Sequence, residues 1–196
     1  MDARVVALPL DITNPNAVAG AAATATDVDL VINNAGIAPA GDSITGPDEE
    51  ARLIFETNFF GTLRVATAFA PILAANGGGT LLNVLSSSAW APVPTVYAAS
   101  KAAAWSATNA LRLQLHGQGT QVVGLLVGMI DTPMSARWDV PKTAPASVVT
   151  QAYDGISDGA LEVLADDETR QLRSLLGSPA EKSFPYLAEQ LAFFTA

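Results

Sequence analysis

Val28-Asp29-Leu30-Val31-Ile32-Asn33-Asn34-Ala35-Gly36 is the stretch on which the fold turns. An unbroken apolar run, Val28 to Ile32 apart from Asp29, ends abruptly in two amides and a glycine. Apolar residues without period-2 alternation, closed by turn residues, describe a strand buried on both faces that opens into a loop. The same grammar recurs outward along the chain. Val5 to Leu10 is a short apolar run ending at Asp11, with Thr13-Asn14-Pro15 behind it. Thr80 to Leu85 ends in Ser86-Ser87-Ser88, and Gln121 to Val127 ends at Gly128. Leu161 to Ala165 reads as a last short strand.

Helical segments fall between these runs. Asn16 to Ala25 is alanine-rich. Pro47 followed by Asp48-Glu49-Glu50 is a helix start, with proline in the first turn and acids against the positive end of the dipole. That helix carries Phe55, Asn58 and Leu63 and ends by Gly77. Val96 to Leu115 is the most alanine-dense helix, and His116-Gly117 closes it. Ala146 to Ile156 and Asp167 to Leu176 complete the set, the second beginning in Asp166-Asp167-Glu168, read as helix-start charge. Alternating strands and helices, with continuously apolar strands, predict an α/β fold: a parallel sheet covered by helices on both faces. Ligands of such sheets bind beyond the carboxyl ends of the strands. Asp11, Asn33-Asn34, Ser86 and Gly128 all fall at expected carboxyl ends and should share one rim.

The composition narrows what this rim can do. The chain has 196 residues, 49% of them hydrophobic and 15% charged, which suits one domain with a substantial core and not a disordered chain. A net charge of −9 without a basic run argues against nucleic acid and anionic membrane as partners. The absence of cysteine removes thiol nucleophiles and thiolate metal sites and fits a reducing cytoplasm. A single histidine, His116, excludes a multi-histidine metal site and reads as a helix-end residue. No signal peptide and no apolar run long enough to span a bilayer are evident. A Gly-x-Ser-x-Gly elbow, which a serine hydrolase of this fold class would carry, does not occur.

One pair of residues carries chemistry by its spacing. Tyr97 and Lys101 stand at i and i+4 on a helix and share a face. A free phenol has a pKa of about 10, and a neighbouring cation favours its ionised form. The pair is therefore a candidate acid–base device, although by itself a surface tyrosine–lysine pair is the commoner reading.

Taken with Asp11-Ile12-Thr13, Asn33-Asn34-Ala35-Gly36, Asn58 in Glu-Thr-Asn-Phe-Phe-Gly, Ser86 after Asn83-Val84-Leu85, and Gly128-Met129-Ile130-Asp131-Thr132, the chain resembles the short-chain dehydrogenase/reductase family over nearly its whole length. The resemblance implies a Rossmann-like domain and hydride transfer between NAD or NADP and an alcohol or carbonyl compound. It implies Tyr97 as general acid or base, with Lys101 depressing its pKa and binding the nicotinamide ribose. Ser86 would donate to the substrate oxygen, and Asn58 would organise a water behind Lys101. Asp11 would approach the adenine and Asn34 its ribose, while Ile130 and Thr132 would reach the nicotinamide amide and the phosphates. The helices containing Asn58 and Tyr97 often form a homo-oligomer contact in this family. Trp90, Met134 and Trp138 are candidates for an apolar substrate pocket or for core.

Against that family the chain reads as one incomplete domain over 1–196. It lacks the opening strand–helix–strand–helix portion and the glycine-rich turn that cradles the pyrophosphate. Val127 also stands where the family usually has proline. The missing strands would lie beside Val5 to Leu10 and beside Val28 to Ile32, so an exposed sheet edge is expected. The alternative use of such a chain is a non-catalytic scaffold that binds a partner through that edge.

Overall fold

The computed structural model describes residues 5–192. Four strands, β1 (Leu30–Asn33), β2 (Thr80–Val84), β3 (Gln121–Leu126) and β4 (Glu162–Leu164), lie in the order β1-β2-β3-β4, and every pairing is parallel. Helices link them: α1 (Pro15–Thr24) precedes β1, and α2 (Asp48–Phe55) with α3 (Thr62–Ala75) separates β1 from β2. Then α4 (Val96–Leu115) leads to β3 and α5 (Pro145–Ser157) to β4, with α6 (Asp167–Leu175) and α7 (Ala180–Gln190) closing the chain. This is the expected doubly covered α/β arrangement, and the last helix lies in a tail the sequence left unassigned.

The strand expected over Val5 to Leu10 is absent. These residues are exposed and in no strand, and among the described residues β1 is the edge of the sheet. An apolar run becomes a strand only where a neighbour takes up its backbone hydrogen bonds. Regular structure instead begins at Asp11, whose carboxylate accepts from Thr13 N (2.9 Å) and Thr13 Oγ1 (2.7 Å). Asn14 then caps α1 by accepting from Asn16 N, with Pro15 in the first turn.

Strand alternation assigns the core to two layers. Val31, Leu81 and Val122 face α1, α3 and the end of α4, packing with Val18, Val65, Phe69, Leu73 and Leu115. Leu82, Val123, Leu125 and Val163 face the other way, onto Val148 and Ala152 of α5. Each fully buried side chain of this size contributes roughly 1.5–3 kcal/mol by leaving water. The second layer stops at β2. Ile32, the register partner of Leu82, is 45% exposed, whereas Leu82 is 3% exposed.

A buried polar thread stitches β1, β2 and α4. Asn33 Nδ2 donates to Asn83 Oδ1 (2.9 Å), Asn83 Nδ2 to Thr108 Oγ1 (2.9 Å), and Thr108 Oγ1 to Ala104 O (2.7 Å). Because Asn33 and Asn83 are register partners, one slipped residue would strand these amides in the core.

The helix over 48–75 is continuous, and its 28 residues are, by length and composition only, enough to cross a membrane, as those of a core helix can be. Its buried face, with Ile54, Asn58, Val65, Phe69 and Leu73, packs inside the domain, as expected of a core helix. The turn at Glu56–Gly61 is π-helical. Such wide turns recur at functional sites because they re-aim a side chain inward.

Candidate active site

α4 starts at the carboxyl end of the sheet, where Thr95 caps it by accepting from Ala98 N (3.1 Å). Tyr97 and Lys101 therefore sit in its first turns, beside the exits of β2 and β3. A cavity of about 440 Å³ opens there, bordered by Asn34, Gly36, Ser86, Tyr97, Lys101, Gly128, Ile130 and Thr132 among others. Six of the eight sequence-predicted site residues line it: Asn34, Ser86, Tyr97, Lys101, Ile130 and Thr132.

Lys101 is buried, and its Nζ donates to Val84 O (2.8 Å) at the end of β2 while lying 5.7 Å from the centre of the Tyr97 ring. Burial disfavours the ammonium and pulls its pKa down from 10.5 to about 8. Tyr97 is only partly exposed, and burial of its phenol pushes its pKa above the ordinary 10, with a hydrogen bond to Ser86 acting in the opposite sense. The expectation that Lys101 depresses the phenol is corrected here. The ammonium is turned to the Val84 carbonyl, and desolvation decides the sign.

Ser86 stands where β2 turns into a short 3₁₀ segment (Ser87–Ala89). Its Oγ accepts from Ser88 N (3.2 Å) and Ser88 Oγ (2.9 Å). With both of these donors spent on it, the Ser86 hydroxyl proton is directed elsewhere, towards the phenol side of the cavity. Ser88 thus orients Ser86, a role the sequence did not suggest.

Asn58 is 1% exposed and stands behind the cavity wall. Its amide spans three elements: Nδ2 donates to Ile37 O (2.9 Å) and Ser100 Oγ (3.0 Å), and Oδ1 accepts from Ile37 N (2.8 Å). A Cβ on Gly36 would meet Asn58 Oδ1 at 3.2 Å and Lys101 Nζ at 3.7 Å, so a bare backbone suits this passage.

The loop after β3 is tied down at both ends. Gly128 N donates to Asp166 Oδ2 (2.7 Å), and Thr169 N donates to Asp166 Oδ1 (2.7 Å), so one carboxylate caps α6 and holds the loop. Glu168 reaches the cavity beside Gly128, its pKa raised by burial and then by the charge of Asp166. Ile130 bridges Thr143, and Thr132 opens a 3₁₀ turn over Pro133–Ser135. The acidic run read as helix-start charge therefore does more, through a bond that spans 38 residues and leaves no local pattern.

Asp11 does not join the cavity. It is exposed, and the hydrogen bonds from Thr13 lower its carboxyl pKa. Of the apolar candidates, Met134 and Trp138 line the cavity, with Arg137 stacked 3.9 Å over the Trp138 ring. Trp90 instead packs edge-on against Trp105, with ring centres 5.8 Å apart.

A serine, a tyrosine and a lysine thus gather around one cavity at the carboxyl rim of a parallel sheet, with an asparagine behind them. Residues 2–142 match the short chain dehydrogenase family, and the chain belongs to it. The chain is 36% identical over 161 residues to 1-deoxy-11-beta-hydroxypentalenate dehydrogenase of Streptomyces exfoliatus, an alignment covering 78% of this chain and 58% of that protein. The enzyme of the same name from Streptomyces avermitilis is 34% identical, covering 84% and 64% respectively. The chain thus spans about three-fifths of the length of these two relatives. A short chain dehydrogenase from Burkholderia cenocepacia, solved in complex with NADP, superposes with a TM-score of 0.89 at 36% identity, covering 95% of this chain and 82% of that one.

The cavity fits the nicotinamide half of such a cofactor: a buried lysine, a bare Gly36 and the ordered loop from Gly128 to Thr132 surround it. A pyrophosphate cradle is not among the described residues. The glycine run Gly77–Gly79 lies before β2, at the opposite end of the sheet, packed against the carbonyls of Gly119 and Asp29.

Proposed function

We propose that this chain serves an NAD(P)(H)-dependent oxidoreductase that interconverts an alcohol and a carbonyl group, within a single incomplete domain. The observation that carries the reading is the convergence of Ser86, Tyr97 and Lys101 on one cavity, backed by Asn58. The cofactor, NADP or NAD, supplies or accepts the hydride when bound. The chain's residues handle the proton and the oxygen. A raised pKa keeps the Tyr97 phenol protonated near neutral pH, the form needed to deliver a proton to a carbonyl oxygen. Ser86 donates to the same oxygen and stabilises its growing charge. Lys101, still largely protonated near neutrality, offers its ammonium to a ribose and to the phenol's surroundings. Asn34, Ile130 and Thr132 are the remaining cofactor contacts we assign, and Asp11 is kept for the adenine side, where its carboxylate faces solvent.

Met134, Trp138, Ala91, Val93 and Leu172 make the rest of the cavity largely apolar. That supports a hydrophobic small molecule as substrate; the Streptomyces relatives are named for 1-deoxy-11-beta-hydroxypentalenate. Leu53, Phe60 and Leu113 are exposed on the α2–α3 and α4 segments, which supports a homo-oligomer through those helices. The chemistry requires neither membrane nor nucleic acid, and we place the protein in the cytoplasm.

The test is direct. The purified chain is titrated with NADPH and NADH by calorimetry and assayed against a panel of apolar ketones, beside Tyr97→Phe. Cofactor binding with turnover lost in Tyr97→Phe supports the reading, and turnover equal in both proteins overturns it. The exposed Ile32 and the outer side of β1, unpaired among the described residues, favour a second reading, a scaffold that binds a partner along that edge. Tight NADPH binding by the chain alone would count against that second reading.

A further inference from the structure

The loop between β1 and α2 carries an acid that the proposed proton transfer does not use. The Asp42 carboxylate reaches the start of α4, accepting from Val96 N at Oδ1 (3.0 Å) and from Tyr97 N at Oδ2 (2.8 Å). These are the first two residues of a 20-residue helix, where backbone N–H groups have no partner within the helix. Thr95 already takes the next one, from Ala98. Residue 42 and residue 97 are thus joined across 55 positions by one oxygen each from a single side chain.

The chain is shaped for this reach. Gly41 has φ 84°, a conformation L side chains rarely adopt, and it turns the backbone just ahead of Asp42. Two residues on, Ile44 N donates to Pro94 O (3.0 Å), fastening the same loop to the residue before the cap. A carboxylate at this point meets the positive end of the helix dipole, and bonds to a charged acceptor are stronger than neutral ones. Thr95 accounts for only one of these donors, the Ala98 N–H. Asp42 adds a grip on the backbone of the one residue whose side chain must hold its place opposite Ser86.

We propose that Asp42 is a positioning residue for Tyr97: it clamps the first turn of α4 so that the phenol is held against Ser86 at the cavity wall. The proposal rests on the reading of Tyr97 as the proton-transfer group. A phenol presented from the first turn of a helix moves with any fraying of that turn, and near-attack geometry tolerates little displacement. Asp42 also borders the cavity, so the clamp ties the floor of the site to its acid.

The test uses the whole chain, with Asp42→Ala, which loses both acceptors, and Asp42→Asn, which keeps one neutral oxygen. Amide hydrogen exchange by NMR reads the clamp, and phenolate absorbance against pH, taken as the difference from Tyr97→Phe, reads the tyrosine. In Asp42→Ala, exchange at Val96 and Tyr97 speeds by about 10-fold or more while mid-helix amides keep their rates. The Tyr97 titration in that variant moves down towards the ordinary value of about 10 as the phenol loosens. Asp42→Asn shows smaller changes in the same directions. Faster exchange with an unmoved Tyr97 titration makes Asp42 a cap and nothing more, and overturns the proposal, as does unchanged exchange. If Asp42→Ala does not fold, the same two readings on Asp42→Asn decide. Failure of the functional reading shows separately, as turnover that survives Tyr97→Phe while the exchange and titration results stand.

Discussion

Ile32 and Leu82 are neighbours in register on adjacent strands, alike in chemistry and pointing to the same side of the sheet, yet one is half in water and the other is sealed beneath α5. The contrast extends to whole regions. From β2 to β4 both faces are covered, and the carboxyl rim is closed by hydrogen bonds that reach in from distant loops. At β1 the inner face is packed with Val31 against α1 and α3, but the outer face and outer edge carry no partner among the described residues. The groups proposed to react all stand in the first region, and the second is exposed surface among the described residues. A strand can therefore be well ordered through one face and one edge while its other side is open.

The largest effect that would test this division belongs to the finished region. Tyr97→Phe removes only a hydroxyl, and turnover should fall by about 10²–10⁴-fold with the melting temperature held. Ketone reduction and thermal melting on the same preparations check both halves of that statement. Next comes the register pair. Leu82→Ala should cost about 2–5 kcal/mol in denaturant unfolding. Ile32→Ala should cost only about 1 kcal/mol, since 45% of its area is already in water. Equal losses would mean that Ile32 is covered in solution, as by self-association, and Ile32→Lys with sedimentation analysis would then reveal it.

A third prediction concerns pH. Lys101 has its pKa lowered from 10.5 to about 8, so between those values the unfolded chain binds more protons than the folded one. Stability from this group therefore rises as pH increases from about 8 towards 10.5, and Lys101→Met should abolish that rise. Turnover should move the other way, declining as pH passes about 8 and the ammonium is lost. The smallest effect is expected far from both regions: Arg52→Ala breaks an exposed pair with Asp48 (2.9 Å) and should change stability by about 0.5 kcal/mol or less.

Much of the finished region was legible in the sequence. The alanine-dense helix was expected over Val96 to Leu115 and occupies those residues, because its cap, its small side chains and its closing turn are local signals. Strands β2 and β3 were equally plain, since a strand buried on both faces needs apolar residues at every position. The apolar run Val5 to Leu10 has the same character and forms no strand, because pairing depends on a neighbour and leaves no mark in the segment itself. The site divides along the same line. Tyr97, Lys101, Ser86 and Asn58 were read from short motifs. Asp42 and Asp166 were not, since their work is done through bonds to residues brought near by the tertiary fold, and neither was Ser88, whose bond to Ser86 lies within a triplet of serines that spacing alone does not tell apart. The sign of the Tyr97 shift was also misread from spacing, which brings a cation onto the same helix face but cannot say that its N–H donates to the Val84 carbonyl or that burial outweighs it.

The all-parallel register has a kinetic consequence. No strand here can pair with its predecessor until a full crossover helix has been made, so not one sheet hydrogen bond is available to a short stretch of growing chain. Helices such as α4 can flicker into place within microseconds, but the sheet must await the closure of long loops, and chains dominated by such distant pairings fold slowly. During that wait the apolar strands are exposed together, and β2 and β3, each bordered on both sides in the finished fold, await partners from opposite directions along the chain. Refolding yield should therefore fall with protein concentration more steeply than the stability of the finished domain would suggest.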